Sequence, residues 1–358
     1  MDLAVLFILI AVLTFPRKDE NVELRILFLI FFGFISIVLS YRASDFPIYK
    51  TFYEHIEPLY RVVIGDNDYF VHEPFNFEIG YKVLNAFFKM FGPYVELLYI
   101  PCNVLVLGVI YFFFKNRSLN FYKLFLPYYT FVFITTQVGI IRQMIAIAIF
   151  YISVQFIVKR KLGPYLIGTV FSFLFHSSAI VLPPLYFVAK KVYSARLLII
   201  VYLLGLLLFV QIIPFSIMTL LEPLSNILLP NIGSKLTYYM WQMNQLEAPS
   251  KFNLGIFDNS LTFFLILRAR YDLSKKGQWD EFMNVSLNLS MLYIFLYIYI
   301  FEFANAIYRV NYYFIFFKFF IIVKYIESFE SRTKRLLSHL TLIFYCAIML
   351  VIRILQGH

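Results

Sequence analysis

The sequence predicts an all-α, polytopic integral membrane protein with about twelve transmembrane helices and two long extracytoplasmic loops, and three observations carry that reading. First, 61% of its 358 residues are hydrophobic and 21% aromatic against 15% charged, with a mean hydropathy of +0.77, a balance outside the range of soluble domains. Second, the apolar runs are continuous, whereas the strands of a membrane barrel alternate in polarity over roughly ten residues. Third, the basic residues sit in short clusters between those runs, which is how cytoplasmic loops are marked.

The runs fall at 2–16, 24–41, 95–114, 123–138, 140–158, 162–176, 178–189, 197–213, 256–271, 284–301, 307–324 and 336–353. In "MDLAVLFILIAVLTFPRKDE" the first run follows Asp2 and precedes Arg17 and Lys18, the reverse of a cleavable signal peptide. An uncleaved first span with its N-terminus outside the cytoplasm is therefore expected. Several later runs are shorter than the ~20 residues of a perpendicular span, so some must tilt little, pair with neighbours or be partly re-entrant.

Twenty of the 31 basic residues lie in short connections: Arg17, Lys18, Arg25; Lys115, Arg117, Lys123; Lys159, Arg160, Lys161; Lys190, Lys191, Arg196; Arg268, Arg270, Lys275, Lys276; and Lys324, Arg332, Lys334, Arg335. Arg42, Lys50, Arg61, Lys82, Lys89, Arg142, Lys235, Lys251, Arg309 and Arg353 alternate with them in longer loops, and Lys318 falls inside a run. The short, basic set is expected to be cytoplasmic, with both termini outside. The chain then forms one membrane domain over 1–358, with external loops at 42–94 and 214–255. Loops of that length carry structure or function of their own. In the first, "FNFEIGYKVLNAFFKMFG" sets Phe77, Tyr81, Leu84, Phe87, Phe88 and Phe91 near helical spacing, with Lys82, Asn85 and Lys89 off the stripe, as in an interfacial helix. The second carries "PSKFNLGIFDN", rich in turn formers and suited to a lid.

Composition excludes several classes. The net charge of +10 is spent on loop clusters and does not form a nucleic-acid footprint. Cys102 and Cys346 lie in separate apolar runs and make neither a disulfide framework nor a metal site. No histidine pair at metal-binding spacing, phosphate loop or dinucleotide fingerprint occurs, and the Asp66–Asp68 stretch reads as a solvated turn. No internal repeat is visible.

On this topology, polar residues distant in sequence gather at the external ends of spans: Arg42 and Asp45, Arg142 with Gln143, His176, and Arg309 between Asn305 and Asn311. A guanidinium in an apolar run is costly and marks a functional site by default. Guanidinium forks pair with phosphate oxygens and stay charged when desolvated, so Arg142 and Arg309, with Gln143 and Arg42, suit a lipid-linked pyrophosphate. The competing reading is that each arginine snorkels to headgroups. His176, Asp45 and Glu78 compete as general base, each with a plainer role as a packing, capping or salt-bridge residue. Tyr49, Tyr53 and Tyr81, with Asn305, are the candidate sugar-binding groups.

Five stretches in order resemble the EpsG/Wzy family of O-antigen and exopolysaccharide polymerases: "YRASDFPIYKTFY", "FEIGYKVLN", "IRQMIAIAIFYIS", "FHSSAIVLPP" and "NAIYRVNYYF". Together they extend from residue 41 to residue 314; the first departs from the family pattern in the close spacing of Arg42 and Asp45. The resemblance implies a GT-C-like helical bundle in the bacterial cytoplasmic membrane, its active site facing the periplasm or cell exterior. It implies transfer of a growing chain from undecaprenyl pyrophosphate to the next lipid-linked repeat unit. No cofactor or metal is expected by analogy with lipid-linked-sugar transferases, and the expected partners are the lipid-linked oligosaccharide, the bilayer, a chain-length regulator and a flippase, with no nucleic acid. The alternatives are a transporter or flippase for the same lipid-linked glycans, and a glycan ligase.

Overall fold

A computed structural model describes residues 3–14, 22–115, 121–210, 254–300 and 309–355; among these residues every regular element is a helix. The chain divides into two compact units, Met1–Tyr186 with Ile326–His358, and Phe187–Tyr325. Among the described residues four helices are long and apolar enough to cross a bilayer unaided, and several shorter apolar helices accompany them. The protein is thus an all-helical membrane protein.

The first unit contains α1 (Leu3–Leu13), α2 (Val22–Ser40), α3 (Phe46–His55), α4 (Leu59–Val63), α5 (Asp68–His72), α6 (Ile79–Lys89), α7 (Glu96–Lys115), α8 (Phe121–Tyr128), α9 (Ile141–Val158) and α10 (Leu162–Phe175). Helix α9 is central, packing against both α7 and α10. A Cβ on Gly168 of α10 would lie 1.9 Å from Ser153 Oγ of α9, so only glycine permits that approach. Ser172 Oγ adds a hydrogen bond from α10 to Ala146 O of α9 at 3.0 Å.

Two expected spans are not regular α-helices. After α8 the run 123–138 continues as a π-helix, Tyr129–Gln137, in which Val138 N reaches back five residues to Phe133 O at 3.1 Å. Pro127, which has no N–H to give, stands just before this widening. The run 178–189 is a 3₁₀ turn, Ser177–Val181, followed after Pro183 and Pro184 by a short helix, α11 (Leu185–Ala189). Consecutive prolines withhold donors and disfavour α geometry before them, so no continuous helix forms. The chain still runs back beside α10: Tyr165 Oη donates to Leu182 O at 2.6 Å, and the Tyr165 and Tyr186 rings lie 5.7 Å apart.

The segment 42–94 holds α3 to α6, tied by carboxylates that accept backbone N–H groups. Glu57 accepts from Tyr69 N at 2.8 Å and Phe70 N at 3.0 Å; Glu73 accepts from Phe75 N at 2.6 Å and Phe77 N at 2.8 Å. Lys82 pairs with Glu73 at 2.9 Å, and Lys89 Nζ donates to Tyr53 O at 2.8 Å. Phe77, Tyr81 and Asn85 are buried, whereas Phe87 and Phe91 are 42% and 64% exposed. The helix packs on α3, α4, α7 and α10, so its inward face is set by those neighbours. The second expected loop, 214–255, lies outside the described residues apart from Leu254 and Gly255, which open the next helix.

The second unit contains α12 (Ala195–Phe209), α13 (Leu254–Lys275), α14 (Glu281–Tyr299) and most of α15 (Ile315–Glu327); α16 (Arg332–Leu355) returns to the first unit. Helix α14 buries a polar row, Asn284, Ser286, Asn288 and Ser290. Asn284 and Asn288 Nδ2 donate to Lys191 O at 2.9 and 2.7 Å, and Asn288 also to Ala189 O at 2.7 Å, satisfying carbonyls at the end of α11 and just beyond it. Lys318 on α15, 0% exposed, pairs with Asp258 on α13 at 2.9 Å.

Candidate functional site

Arg142 stands in the first turn of α9, where the helix dipole opposes a cation. A carboxylate offsets it. Arg142 Nη1 donates to Glu78 Oε2, and Glu78 Oε1 accepts from Ser177 N at 2.9 Å. One carboxylate therefore ties the entry to α6, the head of α9 and the turn after α10. Beneath it the guanidinium lies 4.3 Å from the Phe77 ring centroid, 5.5 Å from Tyr49 and 5.8 Å from Tyr81. Arginine is suited to such a cradle because a planar, weakly hydrated cation both stacks and pairs.

Local sequence sets this geometry. Asn76 adopts φ +52°, a left-handed turn that asparagine tolerates, and delivers Phe77 and Glu78 to the start of α6. A Cβ on Gly80 would lie 2.6 Å from Leu174 O, so α6 meets α10 backbone to backbone. Gly80→Ala is expected to push the helices apart, part Glu78 from Ser177 and cost roughly 1–3 kcal/mol, seen as a lower unfolding temperature. An unchanged unfolding temperature would show that the contact relaxes freely.

His176 ends α10 in extended conformation (φ −156°, ψ 125°) and is buried. Its Nδ1 accepts from Ser178 N at 3.2 Å and lies 2.6 Å from Ser178 Oγ. With Nδ1 accepting, the proton of the neutral ring sits on Nε2, which presents a donor. Burial by itself would raise the Glu78 carboxyl, but the Arg142 charge, the His176 ring and the Ser177 N–H outweigh it and hold the pKa below the ordinary carboxylate value. Such a group is a weak base and a firm anchor.

The remaining expected site residues are placed as follows. Tyr49, Tyr53 and Tyr81, each 0–1% exposed, lie inside an aromatic core with Phe46, Phe52, Phe77 and Tyr99, and Tyr53 Oη donates to Gly92 O at 3.0 Å. Asp45 precedes α3, half-buried, with Ser44 Oγ 3.2 Å from Oδ1. Arg42 is exposed and Gln143 fully buried. Arg309 belongs to the second unit, and Asn305 lies outside the described residues. Within one unit, the structure brings Arg142, Glu78, Tyr49, Tyr81 and His176 together. In the sequence Phe77 and Gly80 stand out only as parts of a stripe and a motif, and nothing there marks the Ser177 N–H or Tyr99. The available signal was the arginine at a helix head, which calls for a carboxylate nearby.

A family model described as the EpsG family matches residues 25–357. No curated protein and no solved structure matches.

Proposed function

Because the chain belongs to the EpsG family, we propose that it is a polysaccharide polymerase: a glycosyltransferase that joins oligosaccharide repeat units carried on undecaprenyl pyrophosphate at the outer face of the bacterial cytoplasmic membrane. The observation that supports this most is the guanidinium of Arg142, 4.3 Å from the Phe77 ring centroid and paired with Glu78, at the head of a helix long and apolar enough to cross a membrane. In the reaction, the bond from the anomeric carbon to the donor's pyrophosphate breaks and one to an acceptor hydroxyl forms. The hydroxyl proton passes to a base, and lipid pyrophosphate leaves. Arg142 binds the pyrophosphate and stabilises the charge that grows on it; Gln143 and Arg42 are proposed to share that anion.

Asp45, Glu78 and His176 compete as the base that takes the proton. Glu78 is committed to Arg142 and Ser177 N, and serves to position Arg142. His176 Nδ1 accepts from Ser178 N. Tyr49, Tyr53 and Tyr81 act as the cradle's walls in this state, and any stacking on sugar needs the segment 42–94 to open. A flippase or a chain-length regulator would be the working partners.

The deciding experiment supplies purified protein with a lipid-linked repeat unit. A ladder of polymer with released lipid pyrophosphate is expected. Movement of the unit across the bilayer without new glycosidic bonds would instead make the protein a flippase, and transfer to a non-repeat acceptor would make it a ligase. The proposed sidedness has its own test, since Cys102 and Cys346 are both buried and leave a quiet background. Asp66→Cys is expected to react with an impermeant thiol reagent added outside the cell, whereas Arg160→Cys and Lys276→Cys stay shielded. External labelling of Arg160→Cys would invert the topology.

A further inference from the structure

Two helices of the segment 42–94 share one core yet turn opposite kinds of face outward. Tyr49 and Phe52 of α3 pack with Tyr81 of α6 in the aromatic cluster. Outward, α3 presents Lys50, Thr51, Glu54 and His55, with Lys50 and Glu54 3.7 Å apart and each side chain 49% exposed. That face suits water. On α6 the exposed residues are Ile79, Val83 and Phe87, followed one turn on by Met90, all 40–49% exposed. They form one stripe at helical spacing, and none is polar.

The polar residues of α6 are turned the other way. Lys82 pairs with Glu73 at 2.9 Å and donates to Phe70 O at 3.1 Å, Lys89 Nζ donates to Tyr53 O and Glu54 O at 2.8 and 3.0 Å, and Asn85 is buried. A helix with water on its outer side does the reverse, because an ammonium costs far more to desolvate than valine or phenylalanine does to expose. The medium outside α6 is therefore less polar than the protein inside it. Two observations identify that medium. At Gly80, whose Cβ would lie 2.6 Å from Leu174 O, α6 meets α10, an apolar helix of the run 162–176 on which Phe171 and Phe173, beside the contact, are exposed. The stripe thus adjoins the lipid-facing side of a membrane helix. The eleven residues of α6 are also too few to cross, since about 16 Å of helix is half the ~30 Å hydrocarbon core.

We propose that α6 lies along the boundary of one leaflet, with Ile79, Val83, Phe87 and Met90 among the acyl chains and the outward face of α3 in water. That leaflet is the outer one on the sidedness proposed above, which the thiol-labelling experiment tests separately. The partner of this surface is the lipid bilayer itself, and the placement does not depend on the reaction.

The test uses full-length protein in bilayer discs holding one copy each, with nitroxide labels at single introduced cysteines. All four positions are exposed, so the fold is kept. Labels on Val83→Cys and Phe87→Cys are expected to collide more with oxygen, which concentrates in hydrocarbon, than with a water-soluble nickel chelate; for Thr51→Cys and Glu54→Cys the ratio inverts. Nickel access at 83 and 87 equal to that at 51 and 54 would put the stripe in water and overturn the proposal. Labels at 83 and 87 that neither probe reaches would also overturn it, because protein then covers the face. Oxygen access that vanishes in discs holding several copies would give the stripe to a second copy of this chain instead. A second reading needs no label. In bilayer discs Val83→Asp is expected to unfold at a lower temperature than wild type, because its carboxylate meets hydrocarbon, whereas Thr51→Asp unfolds as wild type does. Equal unfolding temperatures for the two aspartate variants would sink the placement.

Discussion

Arg142→Lys is expected to leave the protein inserted and accumulating but to cut polymer formation about ten- to hundredfold, the value of one lost charge-assisted hydrogen bond expressed in the transition state. Lysine keeps the charge and still reaches Glu78. It lacks the planar, delocalised cation that sits 4.3 Å from the Phe77 ring, and cannot offer a second prong to a phosphate while Glu78 holds the first. Activity should therefore fall more than stability does, and the loss should appear in kcat/KM at matched protein level. A structural role for the arginine predicts the opposite split, with a lower unfolding temperature and normal turnover of whatever survives. Near-normal polymer from Arg142→Lys would mean that the pyrophosphate is held elsewhere.

Lys318→Met is expected to destabilise the second unit by about 3–5 kcal/mol, because it removes the buried cation that faces the Asp258 carboxylate. The pair is deeply placed, with side-chain exposures of 0% for Lys318 and 7% for Asp258, so water cannot replace the lost cation. Thr262 Oγ1, 3.3 Å from Asp258 Oδ1, is too small a compensation. Replacing both partners by apolar groups, Asp258→Leu with Lys318→Met, should recover most of the loss, since two desolvated charges then disappear together. Thermal unfolding in detergent reads both. A single variant as stable as wild type would show that the ion pair contributes nothing, and a double variant worse than the single would show that the charges do more than neutralise each other.

Much of this protein is local in its physics and legible as such. Continuous apolar runs cannot satisfy their backbone in a bilayer except as helices, and so α7, α9, α14 and α16 follow from hydropathy alone. The Arg-Gln helix, the Glu-x-Gly element and the Phe-His-Ser element were visible as motifs, and the family match extends over 25–357. Local rules failed where two periodicities competed or a proline intervened. On α6 both faces are apolar enough to be buried, and the neighbours chose the one carrying Asn85. At 178–189 hydropathy promised a helix that Pro183 and Pro184 forbid.

By itself, then, the sequence determined the class, the helices and the cast of polar residues, because hydropathy, proline chemistry and the cost of a guanidinium in an apolar run act over a few neighbouring residues. Only the tertiary structure decided who meets whom. Glu78 and Arg142 are 64 residues apart, Glu78 and Ser177 are 99 apart, and Asp258 and Lys318 are 60 apart. Asp45, Glu57, Glu73 and Glu78 all offered a carboxylate from the same segment. Glu78 won because Gly80 lets α6 close on α10 at backbone distance, and because Glu57 and Glu73 are spent on nearby backbone N–H groups. Ion pairing falls away within a few ångströms in a wet environment and strengthens in a buried one, so the choice of partner rests on packing that no short window of sequence contains.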